Sequence, residues 1–232
     1  MSCSTEFSPR SLIARPSDRT YWDRFTGNEF GEEVRYSGGR QKSNKRNILH
    51  RALRQVIDPG DRVVDLMCGR YSYCYSDVGV DISEGMLRSN IDTDCKIVVD
   101  LNTAGMPFSN KVFDAAVMVS GIGYLGNPEH VFAEVSRVLK PGGKFVVTYT
   151  GQSVARIVES WDILEPEKKL ERLQELFYSA GFGKQDVSEL KLRYTWKEKG
   201  KNVQTFEGPL YFVVSTKQRR ESRRQQMVWR RS

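Results

Sequence analysis

Three aspartates hold positions from which a carboxylate could meet a ligand. Asp65, Asp81 and Asp100 each stand at or near the end of a short apolar run, in Val63-Val64-Asp65-Leu66, Val78-Gly79-Val80-Asp81-Ile82 and Val98-Val99-Asp100-Leu101. A carboxylate at the end of an apolar strand is costly unless water or a polar ligand meets it. In open α/β sheets, ligands bind beyond the carboxyl ends of the strands, where strand order reverses. Asp81, at the end of the second run, can accept hydrogen bonds from both ribose hydroxyls of an adenosine. It can equally cap a helix that begins at Ser83. Asp65 and Asp100 share that ambiguity, and solvated loop aspartates are commoner than ligands. The occurrence of all three in strand order favours a ligand.

The elements that would carry them follow from periodicity. Ile48, Leu49, Ala52, Leu53 and Val56 fall at helical spacing and predict a helix over 45–57, stopped by Asp58-Pro59-Gly60. Short apolar runs then alternate with helical stretches, the signature of a parallel sheet covered on both faces. Strands are predicted over 62–67, 77–82, 96–100, 113–119 and 144–149, and helices over 83–90, 128–139 and 165–180. Lys140-Pro141-Gly142-Gly143 ends the middle helix and turns the chain into the next strand. Two late strands, 186–194 and 210–215, flank a charged turn at 197–202 and predict an antiparallel edge.

Bulk properties bound the function. A chain of 232 residues with 39% apolar content supports one large core. The expected organisation is a leader over 1–40, a domain over 41–216 and a basic tail over 217–232. No apolar stretch approaches the ~20 residues that span a bilayer. Cys3, Cys68, Cys74 and Cys95 form no CxxC pair, and His50 and His130 are too scattered for zinc, so no metal site is expected. A reducing, cytoplasmic setting fits, although Arg10, Arg15 and Arg19 in a serine-rich start also suit an organelle leader. Of the net charge of +7, the tail contributes +6 through Lys217 and six arginines against Glu221. The globular part is thus nearly neutral.

Four blocks carry a family resemblance. Val-Val-Asp-Leu-x-Cys-Gly (63–69), Val-Gly-Val-Asp-Ile-Ser-Glu-Gly-Met-Leu (78–87), Met-Pro-Phe-Ser-Asn-Lys-Val-Phe-Asp-Ala-Ala (106–116) and Val-Phe-Ala-Glu-Val-Ser-Arg-Val-Leu-Lys-Pro-Gly-Gly-Lys (131–144) resemble the successive motifs of the type 11 methyltransferase domain, of the class I S-adenosylmethionine-dependent type. The resemblance covers roughly 60–150. It implies an α/β, Rossmann-like sheet of order 3-2-1-4-5-7-6, helices on both faces, and S-adenosylmethionine over strands one to three. On matching positions, Asp65, Cys68 and Gly69 would border the methionine portion, Asp81 and Ile82 the ribose, and Asp100 and Leu101 the adenine. Ser120 and Gly121 would border the transferred methyl. No catalytic residue is implied.

The departures bear on function too. The family has glycine where Met67 and Tyr71 stand, because bare backbone must pass close to the cofactor. Asp65 and Asp81 lie sixteen positions apart, short of the ~20 usual for such a turn and its acidic partner, so the first helix is shortened or absent. This pattern, with Asp100-Leu101-Asn102, Val119-Ser120-Gly121-Ile122-Gly123-Tyr124-Leu125 and Tyr211-Phe212-Val213-Val214-Ser215, is similar to a branch of the family frequent in plants and algae. Tyr71, Tyr73 and Tyr75 alternate along an extended segment, and either line a pocket or cover core bared by the lost helix. His50 and His130 read as structural residues.

Three functions compete: a methyltransferase acting on a small molecule, a scaffold that has lost the cofactor, and an RNA-associated methyltransferase recruited by the tail, with Trp229 for base stacking. The first is preferred. The acceptor pocket is expected in the N-terminal region and in 152–164, with Trp161.

Overall fold

The computed structural model describes residues 45–150, 164–197 and 203–218. Expectations for the leader, for the 152–164 segment up to residue 163 with Trp161, for the interior of the 197–202 turn, and for the tail beyond Gln218 with Trp229 lie outside these residues. In chain order, α1 (Lys45–Leu53) precedes β1 (Val63–Leu66), β2 (Ser76–Asp81), α2 (Glu84–Ser89), β3 (Thr93–Val98) and β4 (Phe113–Val119). A 3-10 turn (Ile122–Tyr124), α3 (Pro128–Val138), β5 (Leu139–Thr150), α4 (Pro166–Ser179), β6 (Phe182–Lys197) and β7 (Val203–Lys217) follow. The seven strands form one sheet of order β3-β2-β1-β4-β5-β7-β6, the order the resemblance implied. Pairing is parallel from β3 to β5 and antiparallel at β5–β7 and β7–β6.

Alternation along the central strands builds two cores. In β4, Phe113, Ala116 and Met118 join Phe132, Phe145, Phe177 and Phe182 under α3 and α4. Ala115 and Val117 face the opposite way, onto Leu49 and Leu53 of α1. Phe132, Phe145, Phe177 and Phe182 pack with centroids 5.0–5.8 Å apart, mostly edge to face, which adds to their burial. Crossovers that leave the β1–β4 switch point in opposite directions put α2 and α3 on opposite faces.

Several boundaries differ from the sequence expectation, each for a local reason. α1 ends at Leu53, with 54–56 as a turn rather than a fourth helical turn; Ile57 N donates to Leu53 O at 2.8 Å. β3 begins at Thr93 and ends at Val98, because its pairing starts where β2 does, at Ser76↔Thr93. Asp100 therefore lies beyond the strand. The Lys140–Gly143 run does not separate helix from strand. β5 pairs Leu139 with Phe113 and then Lys144 with Ala115, so the four residues form a bulge. Gly142 has φ +88°, and a methyl group on Gly143 would lie 2.9 Å from Lys140 O and 3.0 Å from Asp114 O. The late strands are longer than predicted, and Lys217 is a domain residue rather than the start of a tail. It ends β7, and its Nζ donates to Ser136 O and, at 2.8 Å, to Leu139 O, capping the end of α3.

Candidate functional site

The carboxyl ends of β1, β2 and β4 meet at the switch point, in register through Leu66↔Val80 and Leu66↔Met118. The chain leaves β1 through Met67, at φ +54°, and Gly69, at φ +57°, both in the left-handed region. Backbone and side chains from β2 and α2 then pin this turn. Cys68 N donates to Val80 O at 3.2 Å, and Gly69 N to Asp81 Oδ2 at 2.9 Å. Asn90, at the end of α2, donates through Nδ2 to Gly69 O at 3.1 Å and to Ser72 Oγ at 3.3 Å. No helix forms between β1 and β2.

Asp81 is buried, and its other oxygen, Oδ1, accepts the Ser83 N–H at 2.8 Å, while Ser83 Oγ caps α2 by accepting from Met86 N. Both oxygens already hold a backbone N–H, one from the β1 turn and one from the start of α2. The capping reading of Asp81 is thus real. Ile82, the next residue, is partly exposed.

Asp65 is enclosed, 2% exposed. The Ser72 hydroxyl bonds its carboxyl, while Oδ2 has no hydrogen-bond partner. Burial pushes its pKa up to about 7, with Asp81 and Asp92 adding to the rise against the opposing pull of Ser72. Burial, reinforced by Asp65, pushes the Cys68 and Cys74 thiols up as well. Neither is a ready nucleophile. Cys68 instead fills space, its Sγ 2.9 Å from where a methyl group on Gly79 would stand.

Beyond β3, Asp100 closes its own turn, accepting Asn102 N and Thr103 Oγ1 at 3.0 Å each. Leu101 is buried in the core under α3. Asn102 Oδ1 accepts Gly126 N at 2.7 Å and Asn127 N at 3.2 Å, and His130 Nε2 meets Ala104 O at 3.3 Å, so this segment is clipped to the one after β4. His130 has a structural bond, as expected. Ser120, at φ +57°, is held by Thr148: its N–H reaches Thr148 O at 3.0 Å and Thr148 Oγ1 at 3.1 Å. A methyl group on Gly121 would lie 2.9 Å from Met67 Sδ and 3.0 Å from Met118 Cγ.

The site therefore unites Asp65, Cys68, Gly69, Asp81 and Ile82 with Ser120 and Gly121 across adjoining strand ends, while Asp100 and Leu101 belong to the next loop. Sequence reasoning missed Asn90, Ser72 and Thr148, whose bonds span strand ends; no local pattern marks them. Of the alternating tyrosines, Tyr73 packs against the α1 core, covering it as one reading held, while Tyr71 and Tyr75 are exposed and Tyr75 OH donates to Asp94. Tyr73 and Tyr75 also line a cavity of about 500 Å³ with His50, Asp92 and Asp94. Among the described residues, no cluster of three or more His, Cys, Asp or Glu could hold a metal, and no helix is long and apolar enough to cross a membrane.

Residues 60–147 match the family model described as a methyltransferase domain. A demethylmenaquinone methyltransferase of Symbiobacterium thermophilum is 30% identical over 117 residues, which cover 43% of this chain and 47% of that protein. The chain spans about half the length of the curated relatives it matches. Among solved structures, an S-adenosylmethionine-dependent methyltransferase of Thermotoga maritima, described as a possible histamine N-methyltransferase, superposes with a TM-score of 0.59 at 20% identity, covering 86% of this chain and 99% of that one. A phosphoethanolamine N-methyltransferase of Haemonchus contortus, solved with phosphomonomethylethanolamine and S-adenosylhomocysteine, gives 0.58 at 16% identity, covering 87% and 60%. These two likenesses are of fold.

Proposed function

Because the chain carries a methyltransferase domain of the class I, S-adenosylmethionine-dependent type, we propose that it binds that cofactor over the ends of β1 and β2 and methylates a small-molecule acceptor. The observation that carries this reading is Asp65: a buried carboxyl with Oδ2 unpartnered, beside a turn whose glycine is pinned by Asp81. A buried polar atom without a partner costs about 1–3 kcal/mol, and a ligand donor would remove that cost. The residues present fit the cofactor. Asp65 would meet its ammonium group directly or through water, Asp81 its ribose hydroxyls, and Cys68, Gly69 and Ile82 would border it, with Asp100 and Leu101 toward the adenine.

When bound, the cofactor supplies a sulfonium-activated methyl group. The protein's part is positional. Asp81 holds the β1 turn and α2 in one frame, Thr148 holds Ser120 at the β4 end, and Ser120 and Gly121 would border the reacting centre. Such positioning provides much of the acceleration where no base is needed. Demethylmenaquinone and phosphoethanolamine methyltransferases among the relatives and neighbours support a small acceptor; they differ too much in chemistry to support a particular one. Isothermal titration with S-adenosylmethionine and S-adenosylhomocysteine tests the reading, and an absence of heat at high micromolar ligand defeats it.

One observation favours the alternative, a scaffold without cofactor: Met67 stands where the family has glycine and spans toward β4. On that reading Asp81→Ala leaves cellular function intact.

A further inference from the structure

The ends of β1 and β4 are bridged by a side chain. Met67, the first residue beyond β1, sits at φ +54°, a backbone state that suits glycine and costs a side chain energy. From there it turns toward β4, its Sδ and Cβ lying 2.9 Å and 3.3 Å from where a methyl group on Gly121 would be. Ser120, the residue before Gly121, is also left-handed at φ +57°. Strained residues persist where surrounding structure over-determines them. The over-determining contacts here are the thioether packing on Gly121 and on the core beneath α3.

The β2 flank of the same turn is built differently. There the link is Asp81 to the Gly69 N–H, and Gly69 offers no side chain. On the donor-binding reading above, the two flanks would take two halves of the donor: the nucleoside on the Asp81 side, the amino-acid arm between the β1 and β4 ends. We propose that Met67 is a specificity-determining residue of the donor site, a side-chain gate that closes the amino-acid-arm half and leaves the nucleoside half open. The proposal rests on the donor-binding reading above. Binding of the complete donor moves Met67 off Gly121 and forfeits that packing; binding of the nucleoside alone does not.

The test is isothermal titration of the full chain, Met67→Ala and Met67→Gly with two probes: S-adenosylhomocysteine, and 5′-methylthioadenosine, which has the nucleoside and sulfur but no amino-acid arm. In both variants the Kd for S-adenosylhomocysteine falls about tenfold, equivalent to about 1.4 kcal/mol, while that for 5′-methylthioadenosine changes less than about twofold. A second measurement needs no ligand. Gly121→Ala lowers the unfolding midpoint, and adding Met67→Ala restores part of it, because the new methyl group meets Met67 in the closed position. Equal gains for both probes, no gain for S-adenosylhomocysteine, or strictly additive midpoints overturn the gate and leave donor binding standing. Binding of neither probe by any of the three proteins overturns the donor reading and the gate with it.

Discussion

Asp81 and Gly69, twelve residues apart in the chain, are joined by a 2.9 Å hydrogen bond from the glycine N–H to Oδ2 of the carboxylate. The other oxygen takes the Ser83 N–H at 2.8 Å. One side chain at the end of β2 thus fixes both the turn after β1 and the start of α2, before any ligand arrives. A residue with this double bond set is structural, and on the proposed reading it faces the ligand as well, which separates two kinds of mutational effect.

Asp81→Ala leaves two N–H groups without their acceptor and is expected to cost about 2–3 kcal/mol. Asp81→Asn keeps one carbonyl acceptor and costs about half as much. Urea unfolding followed by circular dichroism reads the difference; a loss below about 0.5 kcal/mol for the alanine variant contradicts the bond assignment.

Asp65 makes stability fall with rising pH. Its folded pKa, about 7, lies above the ordinary 3.8, so the unfolded chain loses this proton first. Below about pH 4 both states hold the proton and the group has no effect. Between about pH 4 and 7 the folded state is progressively penalised, and above that the penalty levels off at roughly 2–4 kcal/mol. Asp65→Asn should therefore stabilise the ligand-free protein at pH 8, leave it nearly unchanged at pH 4, and weaken S-adenosylhomocysteine binding. Unfolding midpoints at the two pH values check the first part, and titration calorimetry the second.

Asn90→Ala removes the donor that holds Gly69 O and Ser72 Oγ. The expected cost is about 1–3 kcal/mol, with faster amide exchange confined to the segment around Gly69–Ser72. Hydrogen exchange by mass spectrometry reads it; uniform acceleration over the sheet would instead mean global destabilisation.

Gly143→Ala introduces a methyl group against two backbone carbonyl oxygens, Lys140 O and Asp114 O. Neither can rotate away, so the β5 bulge must shift, at a cost of about 1–3 kcal/mol. Gly60→Ala is the contrasting control, because nothing stands within 4 Å and only its φ of +97° opposes a side chain. A thermal melt in which Gly143→Ala behaves like wild type would show the bulge to be adaptable.

Much of the fold was legible because it depends on local chemistry repeated along the chain. Apolar runs ending in Asp65 and Asp81 mark parallel strands that deliver acids to one edge. The sixteen-residue interval between them is too short for the usual first helix, and none forms there. Boundaries set by pairing were less legible. The start of β3 at Thr93 depends on Ser76 across the sheet, and the bulge at 140–143 on Phe113 and Ala115.

The amino-acid sequence alone determined that Asp65 and Asp81 reach the switch point, since strand periodicity leaves them little other place to go, and the family resemblance added Ser120. Only the tertiary structure decided what each is bonded to. The direction of the Met67 side chain, the two oxygens of Asp81 and the unpartnered Oδ2 of Asp65 depend on Gly121, Gly69, Ser83 and Ser72. Ångström-scale distances between separate segments decide hydrogen bonding and burial, and these distances exist only once the strands have paired.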